Sequence, residues 1–158
     1  MIITGESGSG KTTTVKQMLL LLNNNSAGED NNNSSSIFVL DVSDEYGSLA
    51  QETVDLGRFF SIDWRRPGQR VRFVPSKDEE ICKIESSNIF RQLLFQMHRG
   101  ELKDWVIVVE EGHRFSEDKA LRTLLEEARK FTRKLILVCT DWQVYRGICR
   151  VYKPIPRN

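Results

Sequence analysis

The sequence has no long apolar run. None of the apolar stretches in its 158 residues approaches the ~20 residues that a transmembrane helix needs, so we expect no membrane segment. A glycine-rich stretch begins at residue 5, and this position leaves no room for a signal peptide before it. The sequence therefore predicts a chain that is neither secreted nor inserted in a bilayer.

Cysteine is scarce, with single residues at Cys82, Cys139 and Cys149. They are far apart and show no Cys-x-x-Cys spacing, so neither a zinc site nor a disulfide framework is indicated. Because nothing requires oxidised thiols, we expect a reduced, cytoplasmic setting.

The net charge is only +1, but the charge is unevenly distributed. Residues 129–158 contain eight basic side chains and one acidic side chain, so they carry +7 and the preceding residues carry −6. A division of this kind indicates a surface that faces a polyanion. The alternative is the ordinary preference of helix C-termini and edge strands for cations.

Apolar strands alternate with amphipathic helices along the chain. Buried strands are predicted at residues 1–4, 37–41, 105–109 and 135–139, and helices at 11–22, 85–99 and 117–131. Ser116 is the expected N-cap of the last helix, and Gly100 the expected C′ residue of the one before. Strands that are apolar on both faces indicate a parallel sheet covered by helices on both sides. The sequence thus predicts an α/β fold in one domain over residues 1–158.

Two segments between these elements have a distinct composition. Residues 23–36 contain six Asn, four Ser and no large apolar side chain, and we predict a flexible surface loop. Residues 59–64 and 71–74 flank a Pro-Gly turn, which indicates a small hairpin or a crossover at the sheet edge. The arginines around this turn either contact a phosphate backbone or form a solvated face: they are Arg65, Arg66, Arg70 and Arg72.

Residues 5–12, Gly-Glu-Ser-Gly-Ser-Gly-Lys-Thr, match the phosphate-binding pattern Gly-x-x-x-x-Gly-Lys-Ser/Thr between a strand and a helix. The glycines allow backbone N–H groups to surround a phosphate, and the helix N-terminus adds its positive dipole end. Lys11 is predicted to reach the β- and γ-phosphates of ATP, and Thr12 to offer a hydroxyl to Mg²⁺. The predicted nucleotide-binding residues are Gly5, Glu6, Ser7, Gly8, Ser9, Gly10, Lys11, Thr12 and Thr13.

Glu110 and Glu111 directly follow the apolar strand at 105–109. Ligands of open α/β sheets bind at the carboxyl ends of the strands, where these two acids are placed. Glu110 is predicted to hold Mg²⁺ through water, and Glu111 to polarise the water that attacks the γ-phosphate. With the phosphate loop, the pair indicates a hydrolase, whereas alone it could be a solvated strand end.

Residues 108–115, Val-Val-Glu-Glu-Gly-His-Arg-Phe, and residues 127–140, Glu-Ala-Arg-Lys-Phe-Thr-Arg-Lys-Leu-Ile-Leu-Val-Cys-Thr, resemble the HerA/FtsK superfamily of DNA-pumping P-loop ATPases. Residues 40–46, Leu-Asp-Val-Ser-Asp-Glu-Tyr, resemble a motif of its archaeal HerA branch and of small ATPases from archaeal viruses and plasmids. The resemblance covers most of the chain outside the Asn/Ser-rich segment.

This resemblance implies an additional-strand, RecA-like sheet in which the glutamate strand lies beside the phosphate-loop strand. It also implies ATP and Mg²⁺ as ligands, double-stranded DNA as a partner, and a homo-oligomer, usually a hexameric ring. A neighbouring subunit's arginine would complete each site, and the resemblance places it at Arg129 or Arg133. Either residue could instead be a cation that complements a helix C-terminus.

Two positions depart from the family pattern. Glu110 stands where the family mostly has Asp, and Thr140 where it usually has Gln, so Thr140 would reach a γ-phosphate or water over a shorter distance. His113 and Arg114 either couple the site to a neighbour or to DNA, or His113 only packs beneath the helix or forms a hydrogen bond with Ser116. The favoured function is ATP hydrolysis that drives DNA translocation or packaging. A regulatory nucleotide switch with weak hydrolysis and a small-molecule kinase are the alternatives.

Overall fold

A computed structural model of the protein describes residues 1–24, 35–132, 134–148 and 151–152. Within these ranges the strands are β1 (Ile2–Thr4), β2 (Ser36–Leu40), β3 (Glu52–Val54), β4 (Arg70–Phe73), β5 (Trp105–Val109), β6 (Lys134–Cys139) and β7 (Val151–Tyr152). The α-helices are α1 (Lys11–Asn24), α2 (Leu56–Phe60), α3 (Glu79–His98) and α4 (Lys119–Phe131). Short 3₁₀ helices cover Gly112–Phe115 and Gln143–Tyr145. None of the described helices is both long and apolar enough to cross a membrane.

The strands form one parallel sheet in the order β3-β4-β2-β5-β6-β1-β7. All carboxyl ends therefore meet at one edge, the carboxyl edge, and all amino ends at the opposite amino edge. Strand β6 lies between β1 and β5, so the prediction that the glutamate strand lies beside the phosphate-loop strand was wrong. Both β5 and β6 are apolar on both faces, and this pattern does not decide which of them is adjacent to β1.

The sheet has an apolar cluster on each face, as the alternation of side chains along a strand requires. In β5, Ile107 and Val109 belong to the larger cluster, and Val106 and Val108 to the smaller one. Helices α3 and α4 pack on the first face and α1 on the second. The predicted α/β sheet between helices is confirmed, and its central strands are apolar throughout because neither face is exposed to water.

The N-cap of α4 is Asp118, whose side chain accepts a hydrogen bond of 2.9 Å from the backbone N–H of Leu121. The prediction of Ser116 was wrong because the chain first forms the 3₁₀ turn Gly112–Phe115 and ends it at Ser116. The helix predicted at 117–131 is confirmed, and its apolar side chains form one buried stripe: Leu121, Leu124, Leu125 and Ala128.

Helix α3 begins at Glu79, earlier than the predicted start at residue 85, and Asp78 caps it. The apolar pattern missed the first turns because Ile81 and Ile84 are exposed there rather than buried. The end of the helix agrees with the prediction, since Gly100 has a φ of 76° in the left-handed region that favours glycine after a helix.

The segment around the Pro-Gly turn is not a hairpin. Phe59 lies in α2 rather than in a strand, and β4 pairs in parallel with β2 and β3. The apolar residues before the turn fill the core instead, where Trp64 contacts Phe59 at 5.5 Å and Trp105 at 4.7 Å between ring centroids. Strand β3 was not predicted, because it is three residues long and has only Val54 buried.

The predicted Asn/Ser-rich loop lies mostly outside the described residues, as do Arg133, Cys149, Arg150 and residues 153–158 of the basic C-terminal segment. The ends of that predicted loop are regular structure, however. Helix α1 continues through Asn24, and Ser36 begins β2.

Candidate nucleotide-binding site

The loop that follows β1 has the backbone geometry that its glycines permit. Gly8 and Gly10 have φ angles of 77° and 83°, where a side chain would be strained. A Cβ on Gly5 would lie 2.5 Å from the Ser9 Oγ atom, which is closer than van der Waals contact allows. The backbone thus requires glycine at positions 8 and 10, and a side chain at position 5 would displace the Ser9 hydroxyl; α1 begins directly after the loop at Lys11, as predicted.

The Lys11 side chain is folded against this loop. Its residue is 8% exposed, and Nζ donates hydrogen bonds of 2.7 Å to the carbonyl oxygens of Gly5 and of Glu6. These bonds hold a buried positive charge against the loop backbone. An anion in the loop would therefore meet this ammonium group together with the N-terminus of α1.

Glu110 and Thr12 are brought together at the carboxyl edge. The Thr12 hydroxyl donates to Glu110 Oε1 at 3.2 Å, and Glu110 is only 3% exposed. Burial, together with the nearby negative charges of Asp41 and Glu45, raises the pKa of Glu110 to about 7.

This carboxylate also has an unsatisfied oxygen. Glu110 Oε2 and the buried hydroxyl of Tyr46 make no hydrogen bond of good geometry with the described residues, although Tyr46 is close enough to Glu110 to act on its pKa and lower it. No group of three or more His, Cys, Asp or Glu side chains in the described ranges could hold a metal by itself. The arrangement therefore fits a cation that takes Thr12 and Glu110 as protein ligands and completes its shell with phosphate and water oxygens.

Asp41 does not line the site but supports it from the interior of the fold. The fully buried carboxylate accepts hydrogen bonds from the backbone N–H groups of Glu45 and Tyr46 and from Arg72 Nη1, at 2.8–2.9 Å. Arg72 also binds Asp44 at 2.6 Å. The sequence left two interpretations of the arginines around the Pro-Gly turn, contact with a phosphate backbone or a solvated face. Arg72 fits neither, because it forms ion pairs inside the fold.

Glu111 lies next to Glu110 but in a different environment. Its backbone is left-handed, with φ 49° and ψ 35°, and its side chain is 34% exposed. His113 Nε2 is 3.4 Å from Glu111 Oε2, and His113 Nδ1 is 3.4 Å from the backbone nitrogen of Thr140. His113 thus contacts Thr140. The hydrogen bond from His113 to Ser116, which was one of the sequence alternatives, is not formed.

The structure brings most of the predicted residues to the carboxyl edge, with Arg129 as the exception. Arg129 is exposed in the last turn of α4, which precedes β6 and therefore lies at the amino edge. It cannot reach the phosphate loop of its own chain. The sequence did not single out Tyr46 as a site residue, although it belongs to the quoted 40–46 motif, and gave no sign that His113 and Thr140 meet.

A sequence model of the AAA domain family matches residues 1–145. The matched span includes the glycine-rich loop, both glutamates, His113 and Thr140. A search of curated proteins finds no match to the chain.

Proposed function

This chain belongs to the AAA domain family of nucleoside triphosphatases, and from that premise we propose that it is a Mg²⁺-dependent ATPase. We further propose that a homo-oligomer of this chain, folded as one domain, uses the hydrolysis to move or package double-stranded DNA. The observation that carries the hydrolase is the meeting of Thr12 and the buried Glu110 beside the glycine-rich loop.

The phosphate end of ATP would be bound by the loop at residues 5–12. Lys11 would exchange its two bonds to loop carbonyls for oxygens of the β- and γ-phosphates, which keeps its charge paired throughout. The backbone amides at the N-terminus of α1 would face the same oxygens. These contacts bind the nucleotide and orient its γ-phosphate but do not break a bond.

Thr12 and Glu110 would hold Mg²⁺. The unpaired Glu110 Oε2 and the raised pKa of this carboxyl support the assignment, because both reflect buried negative charge without a cation. When bound, Mg²⁺ neutralises charge that develops on the phosphate oxygens. The longer side chain of Glu110, compared with Asp, already reaches the Thr12 hydroxyl directly.

Glu111 would accept the proton of the attacking water. Its carboxylate is partly exposed at the same edge of the sheet, so water can reach it, whereas Glu110 is buried and paired with Thr12. The two neighbouring acids therefore have separate tasks set by their environments. Thr140, at the end of the intervening β6, would bond the γ-phosphate or the water.

The DNA half of the proposal is supported by the HerA/FtsK resemblance and by charge at the amino edge. A cavity of about 330 Å³ there is bordered by two acids and four cations, and Glu101 binds two of the cations. The cations are Arg65, Arg66, Arg99 and Lys103. Because phosphate contacts dominate DNA affinity, replacing Arg66 and Lys103 with Ala should weaken binding and reduce its salt dependence.

Steady-state ATPase assays with and without double-stranded DNA test the whole proposal. We expect turnover that requires Mg²⁺ and rises with DNA. Lys11→Ala should lose ATP binding, whereas Glu111→Gln should bind ATP and lose turnover. Lys83→Ala and Glu117→Gln, which change exposed residues in α3 and before α4, are the matched controls. Tight binding without turnover would favour the regulatory switch, and turnover only with a small acceptor would favour the kinase.

A further inference from the structure

His113 lies between Thr140 and Glu111 at the ends of β6 and β5: its ring is hydrogen-bonded to Thr140, and its Nε2 atom is 3.4 Å from Glu111 Oε2. We propose that His113 is a positioning residue that holds the Glu111 carboxylate and couples it, through Thr140, to the strand that carries the phosphate loop. This inference deepens the proposed function, on which its catalytic consequence rests. Its geometric part concerns only the described residues.

The direction of the bonds fixes the proton of His113. The backbone N–H of Thr140 donates to Nδ1, so this ring nitrogen carries no proton, and in the neutral ring the proton lies on Nε2. Nε2 is 3.4 Å from the Thr140 hydroxyl oxygen and 3.4 Å from Glu111 Oε2, so its N–H group lies between the two. The imidazole thus accepts a hydrogen bond from the end of β6 at Nδ1 and presents an N–H group towards the Glu111 carboxylate at Nε2.

The chain continues to the phosphate-loop strand. The Thr4 hydroxyl donates to the carbonyl oxygen of Thr140 at 3.4 Å, and Thr4 is the last residue of β1, directly before Gly5. Thr140 therefore contacts the phosphate-loop strand through its carbonyl and His113 through its amide. A displacement at the start of the loop therefore has a continuous route to Glu111, by hydrogen bonds as far as His113 and by a 3.4 Å contact from there to the carboxylate.

The backbone on the other side of Glu111 cannot yield easily. A Cβ on Gly112 would lie 2.4 Å from Leu137 in β6, so the backbone there is in close contact with that strand. The Tyr145 hydroxyl also donates to the Gly112 carbonyl oxygen at 2.7 Å. With the backbone held, the Glu111 side chain is the part that can change position.

The link is suited to control rather than to stability. Its contacts of 3.3–3.4 Å are longer than typical hydrogen bonds, so a small shift makes or breaks them. The side chains of His113 and Glu111 are 26% and 34% exposed, and therefore fill no core space. What His113 contributes is orientation of a carboxylate that would otherwise sample several rotamers.

Nitrogen-15 NMR of the imidazole side chains tests the link without any need for activity. The chain has two histidines, and His98, which contacts Glu127 near the end of α3, is the internal control. His113→Gln and His98→Gln assign the two signals. We expect His113 to carry its proton on Nε2 and its signal to shift when Mg²⁺ and a non-hydrolysable ATP analogue are added. A proton on Nδ1, or no shift while the analogue binds, would overturn the proposal.

Kinetics test the catalytic consequence. We expect His113→Ala to lower kcat about 10–100-fold, the range found when a partner that orients a reacting group is removed, with the dissociation constant of ATP nearly unchanged. His113→Gln, which keeps a donor near the Nε2 position, should recover part of the loss, and His98→Ala should leave kcat unchanged. Equal kcat values for His113→Ala and His98→Ala would contradict the proposal.

The coupling to β1 has its own test. Thr4→Val removes the hydroxyl without changing the shape of a buried side chain. It should lower kcat in the wild-type background and have little further effect when combined with His113→Ala, because both act on one route. Additive losses would show that Thr4 does not act through His113. A wild-type chain without ATPase activity would instead refute the proposed function, while the NMR result would still decide the link.

Discussion

The Thr12 hydroxyl lies 3.2 Å from Glu110 Oε1, although the two residues are 98 positions apart in the chain. Thr12 is in the first turn of α1, which follows β1, and Glu110 follows β5. Strand β6 lies between β1 and β5, so the contact crosses the end of a third strand. It joins the residue that would bind phosphate-bound Mg²⁺ to the strand that would supply its carboxylate.

Removal of the Thr12 hydroxyl should weaken Mg²⁺ binding. We expect Thr12→Ala to lower turnover about 10–100-fold and to raise the Mg²⁺ concentration needed for half-maximal activity, because one of two protein ligands is lost. Thr12→Ser keeps the hydroxyl and should remain close to the wild type. Mg²⁺ titrations of ATPase activity measure the effect, and identical titration curves for the Ala and Ser variants would remove Thr12 from the metal site.

Stability without metal should fall as the pH rises through neutrality. Burial raises the pKa of Glu110 from about 4.5 to about 7, so between these values the folded chain holds a proton that the unfolded chain has lost. Ionising the buried group then costs stability, on the order of 2 kcal/mol by pH 8. Urea unfolding from pH 5 to 8 with EDTA should show Glu110→Gln gaining stability over the wild type as the pH rises. Parallel curves for the two proteins would contradict the raised pKa.

Arg72→Ala should destabilise the fold strongly. The change leaves Asp41 as a fully buried carboxylate without its ion-pair partner, which costs about 3–5 kcal/mol in such sites. Arg58→Ala is the matched control, because it removes an arginine–carboxylate pair with Glu52 that is exposed to solvent and contributes little to stability. Urea unfolding measures both. A loss for Arg72→Ala no larger than that for Arg58→Ala would show that Asp41 does not depend on the pair.

Gly112→Ala should disturb both stability and turnover. The new methyl group would overlap the Leu137 side chain, and overpacking of this kind costs about 1–3 kcal/mol. Gly57→Ala in α2, where a Cβ meets nothing closer than 3.4 Å, should change stability by less than about 1 kcal/mol. Combining Gly112→Ala with Leu137→Ala should cost less than the sum of the single changes, because the second makes room for the first. Simple additivity would show that the two positions do not conflict.

Because Arg129 lies at the amino edge, it can complete a catalytic site only in a neighbouring chain. If it does, Arg129→Ala should lower turnover about 10³–10⁵-fold and spare ATP binding, whereas Lys130→Ala should have little effect. A mixture of Arg129→Ala and Glu111→Gln chains should regain measurable turnover, because some interfaces combine an intact arginine with an intact glutamate. An inactive mixture from chains that co-assemble would exclude the role in trans.

Much of this molecule was predictable because its signals are local. The phosphate loop depends on glycines whose allowed backbone angles are a property of the residue, as Gly8 and Gly10 show. The central strands were found because burial on both faces leaves continuous apolar runs. The end of α3 at Gly100 was found because a glycine is favoured where φ is positive.

The first turns of α3 and the cap of α4 were missed for physical reasons. Exposed Ile81 and Ile84 break the expected apolar stripe, since solvent exposure of a side chain depends on what packs against it. Asp118 and Ser116 are both good N-caps, and the choice between them was made by the 3₁₀ turn that precedes α4.

The sequence by itself determined the sheet and helix type, the phosphate loop, and the two acids at a strand end. Tertiary structure alone decided that β6 separates β1 from β5, that Arg72 forms an ion pair with Asp41, and that His113 contacts Thr140. Propensity and backbone angle act within a few residues and can be read in the chain. Strand neighbours and side-chain partners depend on how distant segments pack, which no local pattern encodes.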